Sequence, residues 1–142
     1  MRDRLYINIA YRDEIERWKS KQILGIELLD TKDIFMLAMA LGMNNPQDIQ
    51  GKKDGFTRTS YIKSRDKAIM SVLLLGKDGN KDNIDSLTED DAIFDEAERC
   101  AELGFAILKE MIDSANGDEE LLEKRLLSKL QLLAEQNATL TK

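Results

Sequence analysis

The 142-residue sequence contains no histidine. Its absence removes the commonest general base, the commonest metal ligand, and every nucleophile that relies on a histidine partner. The single cysteine, Cys100, leaves no intrachain disulfide to form and, without histidine, no familiar zinc spacing. It lies in an apolar helical stretch and is expected to be a buried thiol. No apolar run has signal-peptide or membrane-spanning length, so a cytoplasmic protein with no membrane partner is expected. There is no phosphate-binding loop and no dinucleotide fingerprint. Asp78, Gly79, Asn80 and Asp82 loosely suggest a calcium loop, but the glycine is misplaced and no glutamate stands at the twelfth position. A carboxylate-only metal site needs inward-facing acids, whereas these acids are read onto helix surfaces. The expectation is a protein with no catalytic residues, no cofactor and no metal, and not an enzyme.

With one proline, 42% hydrophobic and 34% charged residues, the chain reads as a helix-rich globular protein large enough for one core. The expected fold is mainly α, a compact bundle of about five helices with a short N-terminal strand or arm. As one domain over residues 1–142, it divides into an arm (1–11), core helices (12–116) and a C-terminal helix and tail (117–142). Leu5 to Ile9 is rich in β-formers, and with no other convincing strand its partner could be the same segment of a second copy. Residues 12–24 form an amphipathic helix with Ile15, Trp18 and Gln22 inward. A second helix, capped by Thr31, runs to Gly42 through an interior apolar on nearly every side, so it is either central in the core or covered by a partner subunit. A third runs from Ser64 to Gly76, and a fourth, opened by Thr88, spans about 89–114 with Asp95, Glu98, Glu102 and Glu110 outward. Gly104 lies inside its apolar stripe, as a close helix crossing or as a tolerated flaw. After the stop at Asn116 and Gly117, Asp118 starts a leucine-rich last helix.

Charge is unevenly shared: residues 1–80 carry net +3 and residues 81–142 net −9. Two surfaces stand out. Lys52, Lys53, Arg58, Lys63, Arg65 and Lys67, interleaved with Phe56 and Tyr61, have the composition that combines phosphate neutralisation with base stacking, and are candidate nucleic-acid contacts. The plainer reading is a solvated loop and helix start whose two aromatics drop into the core. Phe35, Met36 and Met39 in the apolar helix, with Leu126, Leu130 and Leu133 in the last, are candidates for self-association.

Three segments carry a family resemblance: residues 3–7, from Asp3 to Ile7; residues 32–42, from Lys32 to Gly42; and residues 93–108, from Ile93 to Leu108. In order and content they resemble small accessory proteins associated with bacterial DNA phosphorothioation (sulfur modification) and linked restriction systems that act against phage. The resemblance covers about residues 3–112 and departs from the family pattern at Glu98, Arg99 and Cys100, where the family favours a tyrosine and a glycine-rich step. It implies an accessory subunit docked on a larger defence protein, a nuclease or an ATPase, with no catalytic residues to carry over. The function expected is therefore protein–protein binding with self-association. The alternative is a DNA-binding accessory or regulator using residues 52–67.

Overall fold

A computed structural model describes residues 3–78 and 90–140. Among them are five α-helices and one two-stranded antiparallel sheet, so the chain is mainly α. In strand β1 (Arg4–Asn8), Leu5 and Ile7 are buried while Arg4, Tyr6 and Asn8 face outward. Its partner is β2 (Lys53–Arg58) of the same chain, not a second copy. The register places Arg4 opposite Arg58, Leu5 opposite Thr57 and Tyr6 opposite Gly55, which leaves Phe56 as an extra residue on β2. This β-bulge turns the Phe56 ring inward onto Phe105, edge to face at 6.2 Å.

Helix α1 (Ile9–Ser20) follows β1 without a loop, three residues earlier than expected, because Asn8 ends the strand and caps the helix at once. Its Oδ1 accepts the Ala10 N–H at 3.0 Å. The helix stops before 24, since Gln22 and Leu24 both take left-handed dihedrals and Ile23–Leu28 winds as a 3-10 segment. Gln22 is consequently exposed instead of inward. Helix α2 (Thr31–Leu41) is capped by Asp30, one residue before the expected Thr31, with Oδ1 accepting the Asp33 N–H at 2.9 Å. Helix α3 (Ser64–Asp78) is followed by the longest helix, α4 (Asp90–Ala115). The expected Thr88 cap and most of the calcium-like loop lie outside the described residues. Asn116 and Gly117, both left-handed, turn the chain into α5 (Glu119–Leu140), where Asp118 Oδ1 accepts the Leu121 N–H at 3.1 Å.

Helix α4 is the spine, packed against α2, α3, α5 and β1. The apolar α2 is covered inside its own chain: Ile34, Phe35, Ala38, Met39 and Leu41 are buried, and α4 is its chief neighbour. Gly104 does mark a close crossing. A Cβ there would lie 1.5 Å from the Ala38 carbonyl oxygen, so the two backbones meet directly. Trp18 and Cys100 belong to the same core.

Candidate functional site

The basic segment occupies β2, the turn after it and the start of α3. Lys52, Lys53, Arg58, Lys63 and Arg65 are exposed and Lys67 is half-buried. Of the two interleaved aromatics, Phe56 enters the core, whereas Tyr61 stays half exposed on the 3-10 turn Thr59–Tyr61. The two acids within the segment are held by cations from elsewhere. Arg12 of α1 lies 3.4 Å from Asp54, donates to the Gly55 carbonyl at 2.6 Å, and covers the Phe56 ring. Asp66 is buried beneath the start of α3, where its Oδ2 accepts the Lys63 N–H at 2.9 Å and the Lys32 ammonium at 3.2 Å. The Lys63 N–H, then Lys32, hold its carboxyl below the usual range against the opposing effect of burial. Among the described residues, Lys52, Lys53, Arg58, Lys63 and Arg65 form no ion pair of their own. The segment thus presents its positive charge with its acids already neutralised.

The second charged arrangement corrects the reading of α4. Glu98 and Glu102 are not outward; with Glu96 they are buried where α4 meets β1 and the loop before β2. Glu98 Oε2 accepts the Tyr6 N–H at 2.6 Å, so the free edge of β1 is tied to the helix. The Asn8 amide donates to the Gln50 carbonyl at 2.5 Å and reaches Glu102 Oε1 at 3.4 Å. Arg99 bridges Asp48 at 2.8 Å and Glu96 at 3.2 Å, while its carbonyl accepts the Gln47 N–H at 3.1 Å. Burial pushes the Glu102 carboxyl up, with Asn8 and the Gln50 backbone opposing. Tyr11, stacked on Phe105 at 5.7 Å, is also pushed up, by burial and then by Glu102. These acids position the strand pair that displays the basic segment. Their four-residue spacing beside buried Ala101 and Phe105 is the one local hint, and it is indistinguishable from that of a solvated pair.

Of the self-association candidates, Phe35 and Met39 are spent in the core and Leu133 is buried. Met36, Leu126 and Leu130 are half-buried against the core. Among the described side chains of α5, the outward large apolar residues are instead Leu121, Leu127 and Leu132. Among the described residues, no group of three or more acidic or cysteine side chains is placed to hold a metal ion, and no helix is long and apolar enough to cross a membrane.

Fold and surface together define a small, mainly α protein whose long acidic helix carries a basic two-stranded ribbon. No family model, curated protein or solved structure matches the chain.

Proposed function

We propose that the chain is a non-catalytic accessory subunit of a prokaryotic anti-phage defence complex, working by binding a larger protein such as a nuclease or ATPase and by pairing with a second copy of itself. The sequence resemblance supports the setting, and the leucines left exposed on α5 support the mode of action. Leu122, Leu126, Leu130 and Leu133 suffice to dock that helix, yet Leu127 remains 66% and Leu132 47% exposed. A helix that only covers a core carries polar residues at such positions. The 3-10 segment packed beside α5 adds Leu28, 84% exposed. Wild-type protein is expected to elute as a dimer with light-scattering detection. Leu127→Glu combined with Leu132→Glu is expected to give a monomer with unchanged far-ultraviolet circular dichroism. A wild type that stays monomeric up to high concentration defeats the pairing, and failure to co-purify with its coexpressed operon neighbours defeats the complex.

A second reading, a DNA-binding accessory or regulator, is favoured by one specific observation: Arg12 and Lys32 neutralise Asp54 and Asp66 from outside the basic segment. On this reading a short duplex binds with strong salt dependence. Lys63→Gln with Arg65→Gln lowers the slope of log affinity against log salt by about two, roughly one for each phosphate that is no longer neutralised. Fluorescence anisotropy across a salt series measures it, and an unchanged slope removes these two residues from any interface.

A further inference from the structure

The register sets Arg4 directly opposite Arg58 on the outward face of the sheet. Like charges placed opposite one another across a strand pair oppose sheet formation, and among the described residues neither guanidinium has a carboxylate partner to relieve it. The side chain of Arg4 lies flat over Gly55. A Cβ at that glycine would come within 2.7 Å of Arg4 Cδ and 3.7 Å of its Nε. Arg4, Arg58, Thr59, Ser60 and Asp3 line a cleft of about 290 Å³. Its upper wall is fixed by the Thr59 N–H, which donates to the Asp3 carbonyl at 3.0 Å.

We infer that the cleft between Arg4 and Arg58 is a binding site for a phosphoryl group, with two guanidinium forks and the Ser60 hydroxyl as donors. A tetrahedral oxyanion accepts paired N–H donors from each fork and turns a repulsive cross-strand pair into a bridged one. Asp3 also lines the cleft without an ion pair to either guanidinium, and its acidic side chain lowers the net field there, so the site relies on directed hydrogen bonds more than on bulk field. A terminal phosphate monoester fits better than a strand laid along the sheet. Farther along the same face, Tyr6 and Lys53 share a hollow of about 390 Å³ with Asp91, Asp95 and Glu98, whose carboxylates repel a continuing polyanion. The inference shares Arg58 with the DNA reading but does not depend on it.

The test is calorimetric titration of the full chain with inorganic phosphate at fixed ionic strength, paired with thermal unfolding in phosphate and in chloride. Wild type binds and is stabilised. Arg4→Gln combined with Arg58→Gln weakens phosphate binding by about tenfold to a hundredfold. Arg58→Glu, which replaces the repulsion with a cross-strand ion pair, unfolds at a higher temperature than wild type without phosphate and loses the phosphate increment. Increments shared equally by wild type and variants reflect general exclusion of phosphate from protein surface and overturn the site, as does the absence of binding heat. Short oligonucleotides with and without a 5′-phosphate distinguish the sources. Preference for the phosphorylated end points to nucleic-acid termini, and no advantage over inorganic phosphate points to a small phosphorylated ligand. Equal binding of the two oligonucleotides overturns the end-group preference. A duplex that binds while inorganic phosphate does not defeats this inference and leaves the DNA reading standing.

Discussion

Gly104→Ala is expected to destabilise the protein by about 3 kcal/mol, the reverse of the roughly 1 kcal/mol that alanine gains over glycine inside an open helix. The added methyl would lie 1.5 Å from the Ala38 carbonyl oxygen, 2.3 Å from its carbonyl carbon and 2.8 Å from its Cα. All three are backbone atoms, so no side chain can rotate away and relief requires α2 and α4 to separate. Gly42 meets the same crossing from the other side, where a Cβ would come 1.9 Å from the Cys100 carbonyl oxygen and 2.6 Å from the Gly104 nitrogen. Gly42 has φ −103°, a conformation open to any residue, so space alone selects glycine there. Ala38 with Gly42, and Cys100 with Gly104, are four-residue pairs facing each other, and these flattened ridges let the helices touch. Separation would loosen Phe35, Met39 and Phe105 together, all of them buried. Gly117→Ala is the control: it meets nothing within 4 Å and bears only the cost of its left-handed backbone, φ 86°. Urea midpoints distinguish the two, and a Gly104→Ala protein as stable as wild type would mean that the backbones do not meet.

That crossing is half legible in the sequence through local signals, an unbroken apolar run over residues 34–41 and a glycine within a periodic stripe, which leave open a partner subunit over the helix and a tolerated flaw at Gly104. The α5 start is legible for the same reason, since Asn116, Gly117 and Asp118 are consecutive stop and cap residues. Strand β2 is not, because Lys53, Asp54 and Gly55 are poor β-formers. It becomes a strand through pairing with a segment some fifty residues earlier, and the bulged Phe56 anchors it. The early start of α1 is hidden because Asn8 closes a run of β-formers, although asparagine is also a good N-cap. The basic segment is legible as composition. Its electrostatic balance is not, since the partners of Asp54 and Asp66 are Arg12 and Lys32, on other elements. Charge, the best single-residue indicator of exposure, assigns Glu98 and Glu102 to water. Their burial rests on Tyr6 and Asn8, more than ninety residues away for each pair.

Those two glutamates should respond in opposite directions when altered. Glu98→Ala is expected to cost about 3 kcal/mol, because it removes the buried hydrogen bond that ties the Tyr6 N–H of β1 to α4. Glu102→Gln is expected to stabilise at neutral pH. Glu102 Oε2 is buried with no hydrogen-bond partner among the described residues, and burial raises its folded pKa above the unfolded value. Between those two values the native state holds the proton more readily than the unfolded chain, so wild-type stability falls as pH rises through that window. Below it, Glu102 is protonated in both states and this component of stability is fully present. Asp66 runs the other way: its folded pKa is lowered, chiefly by the Lys63 N–H, so its contribution is present above the unfolded value and lost as pH falls through the folded one. The two groups thus contribute slopes of opposite sign, Asp66 raising stability with pH and Glu102 lowering it at higher pH. Glu102→Gln should flatten the descent toward neutral pH and leave the acid limb set by Asp66 unchanged. Urea midpoints from about pH 3 to pH 8 measure both limbs. A Glu102→Gln protein less stable than wild type at neutral pH would mean that the ionised carboxylate is a net support of the Asn8 and Gln50 contacts.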